Sequence, residues 1–392
     1  PTLYTTPASL PYICNFEDPS DFANWVFEND SCQNQWVIGS AANNTVNGGN
    51  ALYISNDGGI SNTYNTSSPA TVFAIRDVYL DDSYDYYTCT YDYKGMGQVS
   101  TDYMRLSMGK YSNAIVTGNT TGTVPTIPGS VTWNINGSSY QCQQPTWSHV
   151  VLSLNKADYG NRVLRLYFMW RNDGSSGTNP PIAVDNIRVE GFTCPKPTAL
   201  SLDTVGTDMV TMHWTDTANI GNYEILLLSD GANPDNYTPF QTSTPSYTFT
   251  NLEHSKRYTA YIRTICGTGT SAWASWYFYT TCASIDALPY TENFEGYNSG
   301  STVSGATIYP RCWSRLTNYT TDYPYISTSY HSTGTSSLYF YATSTYYSIG
   351  ILPPVDTTLY PLNTLMLNFK ALKSSTTSGY GTIEVGVMTD PT

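Results

Sequence analysis

The chain has 392 residues, of which 40% are hydrophobic and only 12% are charged, about half the usual share. Its formal net charge is −13, and its 17 Lys and Arg residues form no basic cluster. These properties exclude a nucleic-acid-binding protein, which would need a basic stripe, and a membrane-surface protein that binds through a polybasic patch. No run of about 18 apolar residues is present, so we expect no membrane span. The length allows about two to four globular domains.

Alternation of apolar and polar residues, interrupted by Gly, Asn, Asp and Pro, recurs along the chain and predicts an all-β protein. Helix signals are nearly absent. The clearest predicted strands of the first part run over Thr88 to Tyr93, Val150 to Leu154, Val163 to Trp170, and Ile182 to Val189. Many short strands separated by turn residues are typical of β-sandwiches.

An internal repeat relates the two ends of the chain. The sequence LPYICNFE at positions 10–17 returns as LPYTENFE at positions 288–295, and each copy is followed by a tryptophan, Trp36 or Trp313. The repeat predicts one type of sandwich module in residues 1–193 and again in residues 283–392. Because the second copy is much shorter, we expect it to be incomplete and the native protein to continue beyond it.

The segment between the two copies, residues 194–282, has a different pattern. A stiff Cys194-Pro-Lys-Pro linker opens it. Two alternating runs predict strands: Val210, Met212 and Trp214, then Tyr223, Ile225 and Leu227. Leu252 and Tyr258 lie six residues apart. This segment resembles a fibronectin type III domain, in which Trp214 matches the tryptophan of the second strand and Leu252 with Tyr258 matches the tyrosine corner.

The flanking modules resemble the jelly-roll domains called choice-of-anchor J or cleaved adhesin, which are related to MAM domains. The carrying motifs are NFED at 15–18, YDYKG at 91–95, WRND at 170–173, PIAVDNI at 181–187, NFE at 293–295, PRCW at 310–313 and VGVM at 385–388. The resemblance implies a jelly roll, a fibronectin type III sandwich and a second, partial jelly roll. It also implies an extracellular or cell-surface protein of a Gram-negative bacterium, with adhesive or carbohydrate-binding roles.

Eight dispersed cysteines without a CxxC motif predict disulfides in an oxidising compartment. Their positions are Cys14, Cys32, Cys89, Cys142, Cys194, Cys266, Cys282 and Cys312. The repeat suggests the pairs Cys14–Cys32 and Cys282–Cys312, because each pair would join a module's entry segment to the stretch near its first tryptophan.

The directions of the strands suggest the pair Cys194–Cys266. In a seven-stranded sandwich the first strand begins where the sixth ends, whereas Cys282 follows the seventh strand at the opposite pole. An eight-residue strand is about 26 Å long, and a disulfide needs Cα atoms within about 7 Å, so Cys266–Cys282 is disfavoured. Cys89–Cys142 follows by elimination. The MAM pattern offers Cys89–Cys194 as a competitor.

A structural calcium site is predicted around Asp185, which shares a strand face with Ile187 and Val189. An inward carboxylate is costly unless it is paired or bound to a metal. First and last strands of jelly rolls commonly lie side by side, so Glu17 and Asp185 could hold one Ca²⁺, with Asn50 as a third ligand. The resemblance also implies a cation near the Phe-Glu pair and the terminal Asp. The alternative is that both carboxylates accept backbone N–H bonds or pair with Arg.

The 35 tyrosines suggest sugar binding, because aromatic rings stack on the apolar faces of sugars. Tyr84 and Tyr86 lie in or beside a turn after two aspartates. Tyr319, Tyr323 and Tyr325 lie in a loop-rich stretch of the second copy. The alternative is that these tyrosines simply cover sheet surface, as their strand preference allows.

No catalytic motif such as GxSxG, HExxH, a P-loop or GxGxxG occurs, so we expect a protein that is not an enzyme. The favoured function is adhesion or scaffolding at the cell surface by a monomer that binds a carbohydrate or a host or surface protein. The main alternative is a set of carbohydrate-binding modules from a larger secreted glycan-degrading enzyme. A catalytic jelly roll would need two carboxylates facing each other in an open cleft.

Overall fold

The structure of the protein is a computed structural model that describes residues 6–110, 116–127, 129–135, 137–160, 162–229, 231–267, 269–295, 297, 309–319, 323–373 and 382–388. The chain divides into two compact units. The first comprises Pro1–Leu202, Met212–Tyr247 and Tyr258–Phe278, and the second comprises Asp203–Thr211, Thr248–Arg257 and Tyr279–Thr392.

The first module consists of short and medium strands with two one-turn helices. These elements are β1 Tyr12–Cys14, α1 Pro19–Phe22, β2 Val26–Glu28, β3 Gln35–Gly39, β4 Ala51–Ser55, β5 Ala70–Leu80, β6 Tyr86–Gly95, β7 Tyr103–Lys110, β8 Ser130–Thr132, β9 Gln144–Leu154, α2 Lys156–Tyr159, β10 Arg162–Asn172 and β11 Ala183–Phe192. The predicted strands at 88–93, 150–154 and 163–170 lie within β6, β9 and β10.

Two antiparallel sheets form this module. One has the order β3-β4-β11-β6-β9, with β1 also paired to β11, and the other has the order β2-β5-β10-β7-β8. Their inner faces share a core in which the ring of Tyr91 on β6 meets the ring of Phe168 on β10 edge-on, with centroids 5.7 Å apart. Contacts between the two sheets make the module a β-sandwich, as expected.

The middle segment forms a second sandwich. Its elements are β12 Thr198–Val205, β13 Val210–Thr215, β14 Tyr223–Ser229, a 3₁₀ turn at Pro234–Asn236, β15 Phe240–Thr242, β16 Ser246–Phe249, β17 Arg257–Cys266, β18 Gly269–Thr270 and β19 Ala274–Tyr279. One sheet has the order β12-β13-β16, and the other has the order β15-β14-β17-β18 with β19 also on β17. Trp214 and Tyr223 pack edge to face between the sheets at 5.2 Å.

The rest of the second unit contains short paired strands. They are β20 Ser314–Thr317, β21 Tyr325–Ser327, β22 Ser337–Tyr339 and β23 Ser348–Ile351, followed by a 3₁₀ turn at Leu362–Thr364. β20 pairs with β23 and β21 pairs with β22. Further along, the apolar residues Phe369, Val385 and Val387 are 57%, 62% and 71% exposed and lie outside any strand. Within the described residues, the second copy of the repeat therefore forms two small sheets rather than a full sandwich.

Two of the four predicted disulfides are confirmed. Cys194–Cys266 and Cys282–Cys312 are formed, with Cα atoms 5.9 and 5.6 Å apart. The pair Cys194–Cys266 is the one that the strand directions of the sandwich predicted. Because these two cysteines are bonded to each other, the competing pairs Cys89–Cys194 and Cys266–Cys282 do not form.

The other two predicted disulfides are wrong, because Cys14, Cys32, Cys89 and Cys142 are free thiols. Cys14 lies inside the repeated octapeptide, at the position of Glu292, whereas Cys282 precedes that octapeptide, so the analogy between the two pairs fails. The Sγ of Cys32 instead contacts the carbonyl oxygen of Asn119 at 3.1 Å.

The pair Cys89–Cys142 fails for a different reason. Cys89 is fully buried in the core between the two sheets of the first module. Cys142 packs against a separate cluster that includes Phe73, Tyr103 and Tyr167, on strands of the opposite sheet. The two sulfur atoms thus belong to different layers of the sandwich.

Candidate functional site

The most extensive aromatic surface of the described chain lies on the ribbon of β21 and β22. Tyr325 faces Tyr339 across the ribbon in antiparallel register. Since side chains two residues apart lie on the same face of an extended chain, Tyr323 and Tyr341 extend this tyrosine pair. Ile326, one position away from Tyr325, is fully buried. Alternation in the sequence thus separates a tyrosine face from an apolar face.

Six rings form a continuous set, here called the tyrosine cluster: Tyr319, Tyr323, Tyr325, Tyr339, Tyr341 and Tyr346. The rings of Tyr323 and Tyr341 stack at 5.1 Å with an interplanar angle of 27°. Tyr319 links the ribbon to Tyr346, because its ring lies 5.3 Å from Tyr341 and 4.7 Å from Tyr346. Each such pair contributes about 0.5–1.5 kcal/mol beyond simple burial, which holds the rings in place.

The tyrosine cluster combines order with exposure. Tyr346 is 40% exposed and its neighbour Tyr347 is 50% exposed, while the other five rings are half-buried. The side chain of Asn318 fixes the loop that carries Tyr346 and Tyr347. Its amide nitrogen donates to the carbonyl of Thr345 at 2.8 Å, and its amide oxygen accepts from the N–H of Tyr347 at 2.7 Å. The cluster therefore presents aromatic faces on a rigid support.

The phenol group of Tyr323 stays neutral at physiological pH. Burial raises the pKa of Tyr323 to about 12, and the nearby rings of Tyr325 and Tyr339 add to the shift. A neutral phenol both donates and accepts hydrogen bonds. The arrangement thus offers flat apolar faces rimmed by hydroxyl groups, a combination suited to a sugar.

Three of the five tyrosines predicted as ligand-binding belong to this cluster. The rings of Tyr319, Tyr323 and Tyr325 contact one another in sequence order, as their closeness in a loop-rich stretch of the sequence suggested. Sequence reasoning missed Tyr339 and Tyr341, although their Tyr-x-Tyr spacing repeats that of Tyr323 and Tyr325. That matched spacing was the available signal for a cross-strand pair.

The predicted tyrosines of the first module form no comparable surface. Tyr84 is half-buried and lies flat against Gly191, where an added Cβ would come 2.3 Å from the Tyr84 ring. Its other neighbour, Tyr87, is buried and donates its hydroxyl to the carbonyl of Asp81. Tyr86 is 46% exposed. Tyr84 is thus a packing residue, and Tyr86 is a single exposed ring.

The residues predicted to hold calcium contact one loop from two directions. Glu17 Oε1 accepts the N–H groups of Gly49 and Asn50 at 2.7 and 2.8 Å, and the Asn50 amide donates to its other oxygen. Asp185 accepts the N–H groups of Asn44, Thr45 and Asn186, at 2.6, 3.1 and 2.7 Å.

These contacts match the alternative in which both carboxylates accept backbone N–H groups. Among the residues described, no group of three or more His, Cys, Asp or Glu is placed to hold a metal. Structural calcium stays a prediction. A lower melting temperature in EDTA would support it, and an unchanged one would argue against it.

Asp185 also belongs to a buried polar network that sequence reasoning missed. Asp92 and Asp185 are 1% and 0% exposed, and Asn44 and Asn186 each contact both carboxylates. Burial raises the pKa of Asp185 to about 6, and the negative charge of Asp92 contributes to that shift. Because both carboxylates are buried, this pair does not form the open cleft that a glycosidase requires.

Comparisons with known proteins identify the middle segment. The family model of the fibronectin type III domain matches residues 195–279, so this part of the chain is such a domain, a β-sandwich binding or scaffold module. No curated protein matches the chain. The resemblance of the flanking modules to jelly-roll families stays a prediction.

Several solved structures are similar to the chain. The fn3 domain of human collagen alpha-1(XX) chain is 21% identical, with 24% of this chain and 91% of that chain covered and a TM-score of 0.21. The structure of FN3tt is 22% identical, with 22% and 92% covered and a TM-score of 0.20. A domain of human fibronectin type III domain containing protein 3 is 18% identical, with 24% and 93% covered and a TM-score of 0.22. Within the described part of the chain, no helix is long and apolar enough to cross a membrane.

Proposed function

We propose that the chain is a non-catalytic binding protein of the cell surface or extracellular space, and that the tyrosine cluster binds a glycan. The observation that carries this proposal is the cluster itself: six ordered rings joined by centroid distances of 4.7–5.9 Å, with Tyr346 40% exposed at one side. Tyrosine combines a large apolar ring with a polar tip, and such residues are enriched where proteins bind partners.

The extracellular part of the proposal draws on the cysteines and on the domain type. Two disulfides are formed, and disulfides persist mainly in oxidising compartments. The fibronectin type III domain supplies a β-sandwich scaffold between the modules that flank it. The resemblance of those modules to cleaved-adhesin and MAM-like jelly rolls adds an adhesive role to the proposal.

A glycan array with the whole chain tests this function. We expect a reproducible hit, and Tyr346→Ala or Tyr319→Ala should weaken its affinity about tenfold or more, since loss of a stacking ring removes about 1–3 kcal/mol. Tyr346→Phe should retain most of the affinity because the ring remains. Tyr86→Ala is the matched control, since Tyr86 is similarly exposed but lies in the first module.

The same array separates the two forms of the proposal. Hits on host glycoprotein glycans support an adhesin, whereas a hit on a defined structural polysaccharide supports binding modules of a larger glycan-degrading enzyme. No hit at all, or a hit that the cluster variants leave unchanged, would overturn glycan binding by the tyrosine cluster. Polysaccharide hydrolysis that a point substitution abolishes would overturn the non-catalytic role.

A further inference from the structure

A cleft of about 450 Å³ opens within the first unit, far along the chain from the tyrosine cluster. Its walls come from Val151 and Ser153 on β9, from the segment 196–200 that leads into β12, and from the segment 273–276 at the start of β19. Ligand sites of small molecules have volumes of about 300–1,000 Å³. The cleft is therefore large enough for one or two sugar rings.

A disulfide and a hydrogen bond anchor the segment 196–200, which forms one wall of the cleft. The disulfide Cys194–Cys266 ties the start of the 196–200 segment to the end of β17. Two residues further on, the Nζ of Lys196 donates to the Oγ of Ser153 at 2.9 Å, which joins that segment to β9. The site is thus preorganised, and preorganisation reduces the entropy that a ligand must lose on binding.

Two tryptophans form one side of the cleft in different ways. Trp273 is fixed, because the guanidinium of Arg263 lies 4.2 Å from its ring centroid and Tyr261 meets it edge-on at 6.2 Å. Trp276 is 47% exposed, and it is the only exposed one of the nine tryptophans, all of which are described. Exposing an indole at a cleft costs solvation free energy that a stacking ligand recovers.

Lys196 gives the cleft its charge. It is the single charged residue among those lining the cleft, none of which is acidic, in a chain whose net charge is −13. Burial lowers the pKa of Lys196, because its ammonium group is partly withdrawn from water. A partly buried cation whose hydrogen bond goes to a neutral serine hydroxyl remains available to an anion.

We propose that this cleft binds a carboxylate-bearing sugar, such as a uronic acid residue of an acidic glycan. The carboxylate lies on the ammonium of Lys196 and the apolar face of the sugar ring lies on Trp276. Ser153, Thr198 and Ser275, which also line the cleft, are hydroxyl residues suited to the ring hydroxyls. A peptide carboxylate would satisfy Lys196 as well, but it lacks the flat hydroxyl-bearing ring that this lining accommodates. The site shares no residue with the tyrosine cluster, and this proposal does not depend on the function of that cluster.

Calorimetric titration of the whole chain with trigalacturonate and with the neutral galactose trisaccharide tests the inference. We expect the acidic sugar to bind at least tenfold more tightly at low salt, and less so as salt screens the charge. Lys196→Gln should remove this preference, and Trp276→Ala should weaken binding of the acidic sugar about tenfold. Lys156→Gln, at a half-buried lysine of the same unit that pairs with Asp82 and Asp85, is the control and should change nothing.

The outcomes separate this site from the glycan site of the second unit. Tyr346→Ala should leave trigalacturonate binding intact, while Lys196→Gln should leave any array hit of the tyrosine cluster intact. Equal affinity for the two trisaccharides, no binding at millimolar concentration, or binding that Lys196→Gln does not affect would each overturn the proposal. Preference for a peptide with a free carboxyl terminus over trigalacturonate would overturn the sugar assignment. Unchanged circular dichroism of each variant confirms that the fold is intact.

Discussion

The Nδ1 of His149 lies 2.6 Å from Oδ1 of Asp92, and the two side chains are only 2% and 1% exposed. The second oxygen of Asp92 accepts from the amides of Asn44 and Asn186, both at 2.8 Å, and Asn233 of the fibronectin type III domain approaches at 3.4 Å. One buried carboxylate thus collects donors from a loop, two strands of the first module and the following domain, all within the first unit.

We expect Asp92→Ala to destabilise the first unit by about 3–5 kcal/mol, because it leaves His149 and several amide donors buried without their acceptor. The measurement is the midpoint of urea unfolding followed by near-UV circular dichroism. Asp82→Ala is the control, because it removes a carboxylate that is 62% exposed and whose Oδ1 lies 3.7 Å from the Nζ of Lys156. A surface pair of that kind contributes at most about 1 kcal/mol. Equal effects of the two substitutions would contradict a structural role for the network.

The stability of the first unit should fall as pH rises from about 4 to about 6, through Asp185. Burial raises the pKa of this carboxyl from 3.8 to about 6, so in this window the folded state keeps a proton that the unfolded state has lost. The shift corresponds to about 3 kcal/mol, present below pH 4 and lost above pH 6. Thermal unfolding of the native chain and of Asp185→Asn over this pH range measures the difference.

Glu17→Gln is a control of opposite sign for that experiment. The N–H of Asn50 holds the pKa of Glu17 below its usual range, so the native carboxylate contributes stability that is lost as pH falls. When the stability of Asp185→Asn is subtracted from that of the native chain at each pH, the difference should decrease as pH rises. A flat difference would mean that Asp185 is ionised in the folded state at pH 4.

Four thiols should resist alkylation in the native chain. Burial raises the pKa of Cys14 and Cys89 to about 12 and that of Cys142 to about 11, which leaves almost no reactive thiolate at pH 8. Iodoacetamide labelling before and after denaturation, with non-reducing peptide mapping, checks this. We expect Cys142, which is half-buried, to react before the others. A Cys14–Cys32 or Cys89–Cys142 peptide would contradict the free thiols.

Removing the disulfide of the fibronectin type III domain should destabilise it strongly. Cys194 and Cys266 are 72 residues apart, and closing a loop of that length stabilises the folded state by about 4 kcal/mol in the chain-entropy description. The double variant Cys194→Ser/Cys266→Ser should therefore unfold at a lower urea concentration than the oxidised native chain. Under reducing conditions, which also open Cys282–Cys312 in both proteins, the native chain and the double variant should unfold alike. A difference between them would point to strain or altered packing instead.

Local periodicity predicted much of the fold, while the sites depend on distant residues. Val163–Trp170 falls within β10, because alternation is a property of consecutive residues. The pair Cys194–Cys266 was also predictable, since strand directions in a sandwich constrain which ends meet. The network around Asp92 was not predictable, because its donors come from positions 44, 149, 186 and 233, and no pattern in the sequence links them.

The two disulfides also determine which parts of the chain carry a mechanical load. When the ends of the protein are pulled, tension passes directly from Cys194 to Cys266 and from Cys282 to Cys312. The 72-residue and 30-residue spans enclosed by these bonds are bypassed, which hides about 250 Å and about 100 Å of extended chain, at roughly 3.5 Å per residue. Most of the fibronectin type III domain is thus shielded from stretching for as long as the Cys194–Cys266 bond is intact.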